Sequence, residues 1–218
     1  MGDPTRKAAL FDNLARVGKA LGNGKRLEIL DLLAQGERSV DALSRAAGLG
    51  LTTASAHLQT LRQAGLVASR RDGTRIHYRL AGDDVAGLFQ MLRDVAATHL
   101  ADVVAASRAY LGPDDAVPVG REELLRRAEQ GEVVVLDVRP AAEYAAGHIP
   151  GAISIPIDDL ADRVAEIAAD VEVIAYCRGR YCVFAHEAVR ILSAHGRAAH
   201  RLDEGMLEWR LAGLPVAA

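Results

Sequence analysis

Ala175-Tyr176-Cys177-Arg178-Gly179-Arg180-Tyr181-Cys182 closes one apolar run and opens a different pattern. Upstream, Val171 to Tyr176 has the length and composition of a short buried strand. Downstream, Val183 to Leu192 repeats apolar residues at helical spacing. The chain's two cysteines therefore fall on a strand-to-helix turn, five positions apart. Such a turn directs backbone N–H groups at one spot, next to the positive end of the following helix. Arg178 and Arg180 add positive charge. Together these groups predict a depressed pKa and a nucleophilic thiolate at Cys177, in a pocket suited to an anion. The alternative is a pair of ordinary cysteines, one of them buried.

Working outward, the second half alternates helix 121–130, strand 133–137, strand 152–155, helix 158–168, strand 171–176, helix 183–195, strand 198–202 and helix 206–212. Strands interleaved with helices imply a parallel sheet with crossover connections. The first half reads differently. Helices are expected at 6–21, 24–35, 39–47 and 52–64, then strands at 67–71 and 74–80 joined by Asp72-Gly73, then one long helix over the alanine-rich stretch Asp83 to Tyr110. Asp-Gly between two short alternating runs is a hairpin signal. Leu111-Gly112-Pro113-Asp114-Asp115-Ala116-Val117-Pro118 cannot continue a helix, so residues 112–118 are expected to link a domain at 1–111 to one at 119–218.

Composition supports two classes of surface. The chain has 218 residues and a net charge of −3, but residues 1–111 hold 15 Lys+Arg against 11 Asp+Glu, and residues 112–218 hold 11 against 18. A basic half permits a polyanionic partner. Two cysteines exclude a disulfide scaffold and fit a reducing compartment, where such pairs are redox-active, catalytic or metal-binding. No apolar run reaches the ~18 residues of a membrane span, and Met1 to Lys7 is too polar for a signal peptide. A cytoplasmic protein with no membrane partner is expected.

Helix 39–47, the turn Gly48-Leu49-Gly50 and helix 52–64 have helix-turn-helix spacing, and the hairpin would be a wing. Arg26-Leu27-Glu28-Ile29-Leu30, Ala56-His57-Leu58, Leu61-Arg62-Gln63-Ala64-Gly65-Leu66-Val67 and Ile76-His77-Tyr78-Arg79-Leu80 resemble the ArsR/SmtB winged-helix repressors over about residues 8–105. The resemblance implies a homodimer, built through the first and last helices of this half, that binds operator DNA and leaves it when an inducer is sensed. Thr52, Thr53, Ser55, Ala56 and Gln59 would approach base edges, and Arg62, Arg70, Arg71 and Arg75 would face phosphates. His57 is expected to pack within its helix. Metal-sensing relatives carry a Cys-Val-Cys where this chain has Ser39-Val40-Asp41, and Asp94, His99 and Asp102 only loosely suggest a second family metal site. No metal site and no cofactor are expected.

Val133-Val134-Val135-Leu136-Asp137-Val138-Arg139-Pro140, Glu143-Tyr144, Gly147-His148-Ile149-Pro150-Gly151-Ala152, Gly205-Met206-Leu207-Glu208-Trp209-Arg210 and Gly213-Leu214-Pro215-Val216 resemble a single-domain rhodanese over about residues 117–217. The fold class is thus a mainly α winged helix followed by an α/β rhodanese with a central parallel sheet. The resemblance makes Cys177 the thiol that accepts a sulfane sulfur, and 178–182, including Gly179 and Tyr181, the loop that cradles it. Asp137, Arg139, Glu143 and His148 match positions that brace the fold, Asp137 and Arg139 as an ion pair. Cys182 stands where many active rhodaneses have Arg or Thr, and Val183 stands where phosphatases of this fold need arginine. Phosphatase and arsenate reductase chemistry are therefore not expected. Cys182 offers a resolving thiol for a persulfide on Cys177.

The expectation is a repressor that senses persulfide, polysulfide or thiosulfate through this pair. Two alternatives are an active sulfurtransferase with an auxiliary DNA-binding domain, and a repressor that responds to arsenite or another thiophilic ion.

Overall fold

A computed structural model describes residues 3–113 and 117–218. Residues 114–116, in the middle of the expected linker, lie outside the described residues. The chain divides into two compact units, Met1–Met91 and Leu92–Ala218.

The first unit begins with helices α1 (Pro4–Leu21) and α2 (Gly24–Ala34). Each has a side-chain N-cap: Asp3 accepts from Thr5 N and Asn23 from Arg26 N, which satisfies amides the helices leave unpaired. Strand β1 (Arg38–Ser39) follows, then α3 (Val40–Ala46), α4 (Leu51–Gln63), β2 (Val67–Asp72), β3 (Arg75–Leu80) and α5 (Asp83–His99). Ser39 caps α3 through Ala42 N at 3.2 Å, so the expected helix at 39–47 starts one residue later. Between α3 and α4 the chain turns through Gly48, whose φ of 61° favours glycine.

Strands β2 and β3 pair antiparallel down to Asp72↔Arg75, which leaves Gly73-Thr74 as the two turn residues rather than Asp72-Gly73. β1 joins the other edge of β3 in the order β1-β3-β2. Sequence periodicity misses this strand because two residues carry no periodicity. Ile29, Leu30, Leu33, Leu43, Leu58, Leu61 and Tyr78 are fully or almost fully buried and form the core of this unit. Each such aliphatic side chain contributes about 1.5–3 kcal/mol by leaving water.

The stretch expected as one helix over 83–110 is two: α5 ends at His99, and α6 (Ala101–Leu111) follows after Leu100 leaves helical backbone at φ −117°, ψ 103°. No glycine or proline marks the break. Turning there brings α6 onto the helix that follows the cysteines, where Arg190 Nη1 donates to Leu111 O at 3.4 Å.

The second unit continues with α7 (Arg121–Glu129), β4 (Val133–Asp137), α8 (Ala141–Ala145), β5 (Ile153–Ser154), α9 (Ile157–Arg163), a 3₁₀ turn (Val164–Glu166), β6 (Glu172–Tyr176), α10 (Val183–Ala194), β7 (Ala199–Arg201) and α11 (Met206–Leu211). The four strands are parallel in the order β5-β4-β6-β7, as the interleaved pattern predicts. The five-residue α8 is absent from the sequence reading. Side chains alternate across the sheet. Val173, Ala175 and Cys177 face α9 and α10 with Leu136, Leu160, Ala188 and Leu192. Ile174 and Tyr176 face the other way with Val133, Val135, Leu124, Met206 and Trp209.

Candidate functional site

Asp137, at the end of β4, is fully buried and forms an ion pair with Arg139, Nη2 to Oδ2 at 2.6 Å. Tyr176 donates to the same carboxylate oxygen at 2.6 Å, Ile149 N donates to the Tyr176 hydroxyl at 3.1 Å, and Arg139 Nη2 donates to Gly147 O at 2.9 Å. Burial, then the neighbouring Asp137 charge, pushes the Tyr176 phenol well up, so it remains a donor. The expected Asp137–Arg139 pair is therefore present. It fixes the end of β6, and with it the start of the cysteine loop.

Loop 177–182 is held from three sides. Cys182 N donates to Gly179 O at 3.0 Å and closes the turn. Met206 N and Leu207 N, at the start of α11, donate to the carbonyls of Cys177 and Arg178, both at 3.0 Å. This approach is so close that a Cβ at position 205 would collide with Gly179 N and Cα and with the Arg178 carbonyl carbon. The Glu208 carboxylate accepts from Gly205 N at 3.0 Å and lies 3.4 Å from Arg93 Nη2, both residues less than a tenth exposed. Arg93 also lies over the Tyr181 ring at 4.9 Å, and Asp94 is 3.6 Å from Arg180. Arg93 and Asp94 belong to the second unit, on the last turns of α5.

The six expected loop residues, Cys177, Arg178, Gly179, Arg180, Tyr181 and Cys182, thus share one turn, but their electrostatics differ from the expectation. Arg178 is engaged by buried Glu143, with Nη2–Oε1 at 2.7 Å and Nε at 3.0 Å from both oxygens. Cys177 is 2 % exposed, and its thiol donates toward Cys182 O at 3.5 Å and Gly179 O at 3.9 Å. Burial pushes the Cys177 thiol well up, the adjacent Cys182 adds to the rise, and the Ala185 and Gly179 amides oppose it. The Cys182 thiol is shifted the other way. The adjacent Cys177 draws it down, and the Arg178 and Phe184 amides and the Arg178 charge act in the same direction. Sequence reasoning put the depressed pKa on Cys177 because it counted the arginines and the helix end but not the burial. Both thiols are free.

Two neighbours were not anticipated. His186, one turn into α10, is buried, with Nδ1 3.4 Å from Cys182 O. The Tyr110 phenol on α6 is pushed up by partial burial and then by the charge at Cys182. His186 follows Cys182 by one helical turn, a signal the sequence offered; Tyr110 had none.

In the first unit, Thr52, Thr53, Ala56, Gln59 and Arg62 are exposed along α4, and Ser55 is half-buried. Gln59 Nε2 donates to Tyr78 OH at 3.2 Å. On the wing, Arg71 and Arg75 are exposed, while Arg70 Nε donates to both Glu37 carboxylate oxygens, at 2.8 and 3.0 Å. Arg70 is thus the one expected phosphate contact already tied to a carboxylate. His57 is half-buried. Among the described residues, no group of three His, Cys, Asp or Glu side chains could hold a metal ion. No helix among them is long and apolar enough to cross a membrane.

Residues 23–69 match the model of bacterial regulatory proteins of the arsR family, and residues 120–212 match that of the rhodanese-like domain. Over 216 residues the chain is 62% identical to the HTH-type transcriptional regulator Rv0324 of Mycobacterium tuberculosis, covering 99% of this chain and 95% of that protein. The chain belongs to the ArsR family of transcriptional regulators and carries a rhodanese-like domain. A sulfurtransferase of Allochromatium vinosum is 33% identical over 93 residues, 43% of this chain and 86% of that protein. Among solved structures, the homodimeric winged helix-turn-helix DNA-binding domain of a possible ArsR-family regulator from Mycobacterium bovis is 61% identical. It covers 47% of this chain and 94% of its own, with a TM-score of 0.43. This regulator's two halves, a helix-turn-helix with a wing and a parallel α/β unit bearing two thiols, thus have separate counterparts among known proteins.

Proposed function

We propose that this ArsR-family regulator is a homodimeric, cytoplasmic repressor of operator DNA that senses reactive sulfur at Cys177 and Cys182. The observation that carries the reading is the thiol pair itself: two free cysteines in one six-residue loop, the Cys177 thiol bonded to the Cys182 carbonyl at 3.5 Å. A sulfane-sulfur donor that reacts there, whether persulfide, polysulfide or thiosulfate, would alter a loop whose carbonyls are bonded to α11. Thr52, Thr53, Ser55, Ala56 and Gln59 supply base contacts in this reading, and Arg62, Arg70, Arg71 and Arg75 supply phosphate contacts that make affinity salt-dependent. The exposed apolar residues Leu10, Phe11 and Leu14 on α1 and Leu88, Met91 and Val95 on α5 suit a dimer interface.

Fluorescence anisotropy on the promoter of the protein's own operon tests it, reduced and then polysulfide-treated at fixed salt. Loss of binding that a reductant restores, and that Cys177→Ser abolishes, supports the sensor. Binding that polysulfide leaves unchanged rejects it.

The likeness to a sulfurtransferase favours a second reading, a turning-over enzyme that uses its DNA-binding unit to control its own gene. Thiosulfate turnover with cyanide or a thiol at an ordinary enzymatic rate of about 1–10³ s⁻¹ would decide for it. An arsenite-responsive pair would instead release DNA with arsenite and not with polysulfide.

A further inference from the structure

Arg70 meets DNA already engaged. We infer that Glu37 competes with the DNA backbone for Arg70: a phosphate takes this arginine only by exchange with the Glu37 carboxylate, so Glu37 sets the strength and the salt dependence of DNA binding. The inference rests on the reading of Arg70 as a phosphate contact and adds a residue which that reading does not contain.

The sheet brings the two residues together. Glu37 directly precedes β1, which lies along the edge of β3 opposite to β2. Ser39, His77 and Arg70 stand side by side across the three strands. The Glu37 carboxylate thereby reaches a side chain 33 positions later: it accepts from Arg70 Nε at 2.8 and 3.0 Å and lies 2.5 Å from Nη2. Asp72 Oδ2 lies 3.4 Å from Nη1.

A guanidinium offers an oxyanion two forks, Nε with Nη2 and Nη1 with Nη2. Glu37 fills the first and shares the second with Asp72, so a two-point phosphate contact requires that a carboxylate move. The pair is placed where such an exchange is cheap. The Arg70 side chain is 55% exposed and that of Glu37 27%, and an ion pair in contact with water is weak. The bond from Arg70 holds the Glu37 carboxyl below the usual carboxylate range, so the competitor is ionised at neutral pH. Arg71 and Arg75 are exposed on the same hairpin, and Arg71 Nε donates to a carbonyl, Gly73 O, rather than to a carboxylate.

The exchange has a signature in salt. An arginine that meets a phosphate with nothing to give up releases a DNA counterion. Here one guanidinium–oxyanion pair replaces another, and the freed carboxylate beside the duplex takes up a cation. The two ion movements cancel at this contact, and repulsion between Glu37 and the phosphate lowers affinity. Arg71 and Arg75 carry the ordinary salt dependence.

Reduced full-length protein is titrated on the promoter duplex by fluorescence anisotropy over a series of salt concentrations. Glu37→Gln is expected to bind about 2- to 5-fold tighter per wing. The slope of log affinity against log salt is expected to steepen by about 0.9 per wing. Arg70→Ala and the double variant separate exchange from a general loss of negative charge: the steepening should vanish when Arg70 is absent. Steepening of equal size with and without Arg70 overturns the inference. Parental affinity and slope in Glu37→Gln, combined with weaker binding when Arg70→Ala is added, also overturn it and leave the phosphate contact standing. A double variant that binds as Glu37→Gln alone does removes the contact as well.

Discussion

The Cys182 thiolate is favoured by one neighbour more than by the loop as a whole. Its thiol is drawn down first by the adjacent Cys177, then by the Arg178 and Phe184 amides and the Arg178 charge. A depressed pKa means that the thiolate survives as pH falls through the ordinary thiol range near ~8.5. The pH profile of iodoacetamide alkylation on the tryptic peptide 181–190, which holds Cys182, is therefore expected to have its midpoint below that of an ordinary thiol. Cys177→Ala removes the adjacent thiol and should move the midpoint up. A native midpoint at or above the ordinary value would contradict this account. The titratable groups around Cys182 are Cys177 and Arg178 within the loop and His186 on α10, and its charge is felt by Tyr110 on α6, whose phenol remains neutral throughout this range. The sequence showed which residues would share this loop but not how they would be charged. Arg178 and its partner Glu143 are 35 positions apart, and only the folded chain joins them. Asp137 and Arg139 were legible because they are two positions apart in a recognisable motif. Asp137→Asn leaves the fully buried Arg139 guanidinium uncompensated, and urea denaturation should show a loss of about 3–5 kcal/mol. A loss below about 1 kcal/mol would mean that the pair does not brace the sheet.

At the scale of elements, strands and helices longer than about five residues were legible from periodicity, because each buries one face against the rest of its unit. β1 and α8 were missed, whereas the equally short β5 and β7 were read at 152–155 and 198–202 within the interleaved run. The break at Leu100 was invisible because its cause is tertiary: α6 turns to meet α10. The loop-to-α11 contact was half legible, as a glycine before an apolar helical stretch. What the sequence could not show is that Gly205 lies against the backbone of Gly179, where no Cβ fits. Gly205→Ala should therefore push the cysteine loop off α11. We expect a loss of about 1–3 kcal/mol in thermal or urea unfolding, with faster exchange of the Met206 and Leu207 amides. An unchanged stability with unchanged exchange would show that the approach is looser than the geometry indicates.

For the whole molecule, a sulfur sensor works only if the modified loop changes the balance between DNA-bound and free states, because a ligand indifferent to the two states shifts nothing. α5 is the element to test. It spans the division of the chain, beginning within Met1–Met91 and ending within Leu92–Ala218, where Arg93 pairs with Glu208 and Asp94 with Arg180 of the cysteine loop. Arg93→Ala removes the guanidinium that compensates the buried Glu208 carboxylate, and Asp94→Ala is the milder cut at a half-exposed pair. If these contacts carry the signal, both variants should take up persulfide in the cysteine loop as the parent does. Polysulfide should then change their affinity for promoter DNA about 2- to 30-fold less than it changes the parent's, the range for a coupling of ~0.5–2 kcal/mol. Arg93→Ala also destabilises its own unit, but Asp94→Ala leaves the buried carboxylate paired and separates the two causes. Undiminished polysulfide response in Asp94→Ala and Arg93→Ala alike would remove α5 from the route and direct the search to α6, whose last residue, Leu111, accepts from Arg190 of α10 at 3.4 Å.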